Sequence, residues 1–160
     1  MRTVGTEIER KFLVRDPSIV RGSTGIPYRQ GYLSTDPSRT VRVRRAGKHA
    51  FLTVKGISDG ASRAEFEYEI PLEDAEALLA LCEQSIVVKT RHRVEHRGLT
   101  WEVDVFGGAN AGLVVAEVEL GTADQPVAIP DWVGDEVTSD ERYFNSALAR
   151  RPFRDWEARA

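Results

Sequence analysis

The sequence predicts an α+β fold dominated by one antiparallel sheet of eight strands, with few helices. Three observations predict it. Apolar and polar residues alternate with period two in segment after segment, the spacing that sends successive side chains to opposite faces of a strand. Only two stretches carry helical periodicity. The 160 residues, 41% apolar and 29% charged, suit a single domain spanning 1–160.

The first strand, residues 5–14, sets Glu7, Glu9 and Lys11 against Ile8, Phe12 and Val14. A second is expected over 26–33, Ile-Pro-Tyr-Arg-Gln-Gly-Tyr-Leu. In 41–45, Arg42 and Arg44 alternate with Val41 and Val43, and in 50–55, Thr53 and Lys55 oppose Leu52 and Val54. Residues 63–70 alternate strictly, with Arg63, Glu65, Glu67 and Glu69 on one face and Ala64, Phe66, Tyr68 and Ile70 on the other. A helix over 71–83 follows, begun by Pro71, with Glu73 and Asp74 in the first turn and a stripe of Leu72, Ala75, Leu78, Leu79 and Cys82. It is expected on the outer, apolar side of the sheet.

Strands resume over 86–95, where Lys89, Arg91 and Arg93 oppose Val88, Thr90 and Val94. Residues 99–105 place Glu102 and Asp104 against Trp101, Val103 and Val105, and 113–120 place Glu117 and Glu119 against Ala116, Val118 and Leu120. The stretches 107–112 and 121–134 read as irregular connections, the first with room for a helical turn. A second helix is expected over 138–151, opened by a capping box of Thr138 and Glu141 and closed by Arg150 and Arg151.

Lys and Arg number 22 against 25 Asp and Glu, a net charge of −3. That balance excludes a uniformly basic surface and gives no bulk attraction to nucleic acid or membrane. One cysteine cannot form an intrachain disulfide, and neither a signal peptide nor a membrane span is legible, so the cytoplasm is the expected compartment. The sequence leaves a homodimer open and does not fix the oligomeric state.

The charged parity is not an ordinary solvated sheet face, which would mix signs to form cross-strand pairs. Here the signs are sorted by strand: Arg42 with Arg44 and Lys89 with Arg91, but Glu65 with Glu67 and Glu117 with Glu119. Each carboxylate pair then needs a basic neighbour strand or a cation. Closed as an eight-stranded barrel, such a sheet would hold side chains or one small ligand in a wet interior. Lys and Arg suit phosphate, whereas clustered carboxylates suit a hard divalent ion such as Mg²⁺, which shares its octahedron between protein oxygens, water and substrate phosphates. Both signs on one face point to a polyphosphate bound as its metal complex. Nucleic acid fits less well, because the charged parity has almost no aromatic stacking platforms.

Glu7-Ile8-Glu9-Arg10-Lys11 is an ExExK signature, followed in order by Arg29-Gln30-Gly31-Tyr32-Leu33, Arg42-Val43-Arg44, Thr53-Val54-Lys55, Glu65-Phe66-Glu67-Tyr68-Glu69, Lys89-Thr90-Arg91, Trp101-Glu102-Val103-Asp104 and Glu117-Val118-Glu119. Over roughly residues 5–150 this series resembles the CYTH superfamily, the triphosphate tunnel metalloenzymes. The resemblance implies an eight-stranded antiparallel tunnel whose inner charges bind a triphosphate and Mg²⁺ or Mn²⁺, with the C-terminal helix near one mouth. It implies that Lys11, Arg42, Arg44, Lys55, Lys89 and Arg91 hold phosphate oxygens and that Glu7, Glu9, Asp104, Glu117 and Glu119 hold metal. Glu65, Glu67 and Arg29 are further candidates, and Glu7, Glu9, Lys11 and Lys89 stand closest to the chemistry.

The run Glu-Ile-Glu-Arg-Lys-Phe-Leu is most similar to small bacterial members acting on inorganic tripolyphosphate, which implies a metal-dependent hydrolase with a small-molecule partner. Adenylate cyclases, other nucleotide or thiamine triphosphate enzymes of the same fold, and a non-catalytic polyphosphate-binding module are the alternatives. His92 and His96 fall on the apolar parity and read as packing rather than zinc ligands. Cys82 and the three tryptophans read as core or interface, Arg10 and Arg45 as outer surface, and Arg29 and Arg93 could turn either way.

Overall fold

A computed structural model describes residues 2–82 and 85–159. Eight strands, β1 (Arg2–Val14), β2 (Ile26–Ser34), β3 (Arg39–Ala46), β4 (His49–Gly56), β5 (Ser62–Ile70), β6 (Val87–His96), β7 (Leu99–Phe106) and β8 (Val114–Glu119), build an antiparallel barrel. Their order is β5-β4-β3-β2-β6-β7-β8-β1, closed by pairing of β1 with β5. All eight expected strands are present. The length of β1 lets it serve two neighbours: Arg2 to Ile8 pair with β5, and Glu9 to Leu13 pair with β8. Tight turns fix the hairpins; between His96 and Leu99 both Arg97 and Gly98 have positive φ, 48° and 82°, the combination that matches the twist of paired strands.

Because the charged parity points into the barrel, the apolar parity points out and needs covers. One cover is α1 (Leu72–Ala80), which buries Ala75 and Leu79 against Val43 and Ala50. Its predicted end at Glu83 lies outside the described residues. At the end of this helix a Cβ on Gly31 would stand 2.5 Å from Cys82 Cβ, so only glycine lets the chain pass so close. The second cover packs Val133 and Trp132 on Phe12, Trp101, Val103, Ala116 and Val118.

That second cover corrects the reading of 121–134 as wholly irregular. Val133 begins a ninth strand, β9 (Val133–Glu136), which pairs with Phe12 and Val14 of β1. Four residues, Val-Gly-Asp-Glu, are too few to show alternation. The strand is held instead by position: Arg10 grips Glu136 with two hydrogen bonds of 2.9 and 2.7 Å on the outer surface.

The expected helix over 138–151 is also corrected. Thr138 does not cap it, because its hydroxyl accepts from the Lys11 N–H at 3.0 Å and donates to Glu136 at 2.6 Å. Asp140 instead caps a 3-10 turn, Glu141–Tyr143, and Phe144 is extended at φ −64° and ψ 137°. Only Asn145–Arg150 form a helix, α2, followed by a 3-10 segment, Phe153–Arg159. Leu148, Ala149 and Trp156 of this segment pack with the inward-facing Tyr32, Val87, Phe106 and Val115, so the C-terminal segment fills one end of the barrel with apolar side chains.

Candidate active site

The barrel encloses a cavity of about 330 Å³. Strand parity brings Glu7, Glu9, Lys11, Arg42, Arg44, Lys55, Glu65, Glu67, Lys89, Arg91, Glu117 and Glu119 to its wall. Twelve expected site residues from six strands therefore meet in one space. Register decides who faces whom: Glu9 lies opposite Glu119, Lys11 opposite Glu117, and Lys55 opposite Glu65.

Two expected members lie elsewhere. Asp104 is 1% exposed and does not reach the cavity wall. Arg91 takes both of its oxygens, at 2.8 and 2.9 Å, and Lys89 Nζ takes one again at 2.8 Å. Burial alone would raise its carboxyl, but Lys89 and Arg91 occupy its oxygens and hold it well below the usual carboxylate range. Arg29 is on the outward parity, half exposed and 3.8 Å from Glu76 of α1. Its neighbour Gln30 points inward instead and is fully buried.

Most inner charges are paired. Lys11 Nζ lies 3.2 Å from Glu117, Lys55 Nζ lies 2.7 Å from Glu7 and 3.6 Å from Glu65, and Arg42 lies 3.4 Å from Glu67. Arg91 also approaches Glu117 and Glu102, both at 3.3 Å. Burial alone would raise the Glu117 carboxyl, but Lys11 and Arg91 bring it down to about 2. Among the described residues of the wall, Glu9, Glu119, Arg44 and Arg63 make no such pair. Burial first, then Glu117 and Glu7, push the Glu9 carboxyl up to about 8. Burial and the Glu7 charge raise Glu119 as well. Arg44 is pushed down to about 10 by burial and by Arg42 and Arg91.

These unpaired carboxylates test the site for a divalent ion. Glu9 and Glu119 lie opposite each other across β1 and β8 with no ion pair of their own, and Glu7 repels the charge of both, so a hard divalent ion would relieve them. Among the described residues no three Asp, Glu, His or Cys side chains converge into a closed ligand cage. Mg²⁺ and Mn²⁺ do not need one, since they complete their octahedra with water and phosphate oxygens. The donor set fits.

Sequence reasoning missed several wall residues. Arg63, which donates to Gly56 O at 2.8 Å, and Glu102 share parity with expected members and could have been found by that signal. Arg93, left undecided, reaches the wall from an exposed position beside Glu102. Tyr28 needed the parity of β2, and Asn145 needed the fold of the C-terminal segment. Tyr143 O and Asn145 Oδ1 accept from Lys11 Nζ at 3.1 Å and Lys89 Nζ at 3.0 Å, so this segment touches the phosphate-binding candidates directly. His92 Nδ1 shares a 2.8 Å hydrogen bond with Ser23, in keeping with a packed histidine.

A family model described as CYTH domain matches residues 5–151. The chain is 45% identical over 155 residues to the inorganic triphosphatase of Acetivibrio thermocellus, covering 96% of this chain and 99% of that one. It is 42% identical over 149 residues to the inorganic triphosphatase of Nitrosomonas europaea, covering 90% and 97%. A crystal structure of an inorganic triphosphatase superposes with a TM-score of 0.65 at 40% identity, over 90% of this chain and 94% of that one. A putative adenylate cyclase from Bacillus halodurans shares the fold at 16% identity, with a TM-score of 0.58 over 75% and 84%.

Proposed function

The chain belongs to the CYTH domain family, and we propose that it is a cytoplasmic, divalent-metal-dependent hydrolase that converts inorganic tripolyphosphate to pyrophosphate and phosphate. One observation carries this reading. A single cavity holds two carboxylates without ion pairs, Glu9 and Glu119, together with two such cations, Arg44 and Arg63, and one ligand that brings both charge signs engages both sets. A polyphosphate with its metal is such a ligand. The relatives at 42–45% identity are inorganic triphosphatases. A small cavity filled at one end by the C-terminal segment favours a compact, base-free substrate.

Lys11, Arg42, Arg44, Lys55, Lys89 and Arg91 bind the phosphate oxygens, and the guanidinium of Arg42, whose Nε is buried without a partner, has a donor to spare. Glu9 and Glu119, assisted by Glu7 and Glu117 and flanked by Glu65 and Glu67, hold Mg²⁺ or Mn²⁺. When bound, the ion neutralises phosphate charge and polarises a phosphoryl oxygen as a Lewis acid. Water attacks the terminal phosphorus, the bridging P–O bond breaks, and pyrophosphate leaves with the electron pair while the water proton passes to solvent. Lys11 and Lys89 neutralise the charge on the departing group, so positioning and electrostatics carry the rate. Asp104 keeps Lys89 and Arg91 in place.

The test is phosphate and cyclic AMP release across tripolyphosphate, ATP and thiamine triphosphate, each with Mg²⁺ and with Mn²⁺. Tripolyphosphate turned over fastest, with no cyclic AMP from ATP, is expected. Cyclic AMP as the main product, or binding without turnover of any of the three, would contradict the proposal.

A further inference from the structure

The tunnel cations differ in what holds them. Lys11, Lys55, Lys89 and Arg91 each lie within hydrogen-bond reach of a carboxylate. Arg44 is held by neutral groups: its Nε donates to Gln30 Oε1 at 2.9 Å, and its guanidinium lies 4.8 Å from the centre of the Tyr28 ring. Gln30 is 0% exposed. Its Nε2 donates to the Tyr32 hydroxyl at 2.9 Å and to Asn145 Oδ1 at 3.2 Å. The same Asn145 oxygen accepts from Lys89 Nζ at 3.0 Å. Two acceptors on one side and an arginine donor on the other fix which way the Gln30 amide points.

Arg44 is partly buried, and a guanidinium withdrawn from water is ordinarily met by a carboxylate, because burial of an uncompensated charge is costly. Glutamate has the same shape as glutamine and would supply that carboxylate, so the amide at this position keeps Arg44 oriented without cancelling its charge. We propose that Gln30 is a positioning residue that aims Arg44 at the substrate anion while leaving its charge uncompensated, and that Asn145 ties the same amide to Lys89. This rests on the reading of the tunnel as a triphosphate site and specifies one cation that is kept free for the substrate and the group that keeps it so.

The experiment compares wild type with Gln30→Glu and Gln30→Met, measuring tripolyphosphate affinity of the metal-free protein by calorimetry, then KM and kcat with Mg²⁺, with thermal midpoints as a control on folding. In Gln30→Glu the new carboxylate pairs with Arg44, and affinity is expected to fall about tenfold or more, with KM rising in step and kcat changing less. Gln30→Met, which loses the aim without adding charge, is expected to lose less. A residue needed only for packing gives the opposite order, since glutamate preserves shape and strengthens the bond to Arg44. Gln30→Glu binding within about twofold of wild type, or better than Gln30→Met, would overturn the proposal. If Gln30→Glu does not fold, a cycle of Gln30→Met and Arg44→Met decides: coupling between them supports the proposal, and additivity overturns it. Because affinity needs no turnover, a wild type that binds but does not hydrolyse tripolyphosphate sinks only the assigned reaction. Absence of binding by wild type, metal-free and with Mg²⁺ alike, sinks both.

Discussion

At the scale of single residues, two carboxylates of one tunnel have opposite duties. Glu9 makes no ion pair, and burial, Glu117 and Glu7 oppose its charge more strongly than Lys55 and Lys11 favour it. Glu9→Gln is expected to lower metal-dependent phosphate release by about a hundredfold and to abolish the rise in thermal midpoint that Mg²⁺ gives wild type. Measuring both separates loss of the ion from loss of fold. Asp104 is fully engaged with Lys89 and Arg91. Asp104→Asn leaves both cations buried with a weaker partner, an expected loss of about 3 kcal/mol of stability at pH 7 by denaturant unfolding. The folded carboxyl titrates below its ordinary value of 3.8. Its stabilisation is therefore present above that pH and drains away as acid carries the protein through the folded value, so the gap between wild type and variant narrows at low pH. A gap that widened in acid would refute the assignment of Asp104 as an ionised anchor.

At the scale of elements, the barrel is held by covers outside it as much as by pairing within it. The closest approach is where α1 ends against β2: Gly31→Ala sets a Cβ 2.5 Å from Cys82 Cβ and 2.9 Å from Ile86, and about 2 kcal/mol of destabilisation is expected by thermal or denaturant unfolding. The eight barrel strands were legible because their alternation is long and strongly charged on one parity. β9 was not, because four residues show no period and its place depends on β1 and on the Arg10–Glu136 clamp. The C-terminal helix was legible as a tendency, but tertiary contacts claimed Thr138 and opened the chain at Phe144. Within the site, parity found twelve wall residues. Arg29, which by sequence could turn either way, faces outward, while Gln30, the inward residue, is neutral. Asp104 shared the inward parity, but no sequence pattern says that Arg91 and Lys89 reach it first.

At the scale of the whole molecule, a net charge of −3 conceals segregation. Acidic and basic side chains face one another across about 330 Å³ and leave a few of each sign without partners. An anion drawn to such a site is screened by added salt on its way in, so KM for tripolyphosphate is expected to rise with ionic strength more than kcat changes. The most direct measurement of the proposed chemistry is the product balance from tripolyphosphate, with and without a divalent ion. Equimolar pyrophosphate and phosphate, released only while Mg²⁺ or Mn²⁺ is present and lost on chelation, is the expected result. Release that persists undiminished in excess chelator, or none at all with either ion, would contradict it.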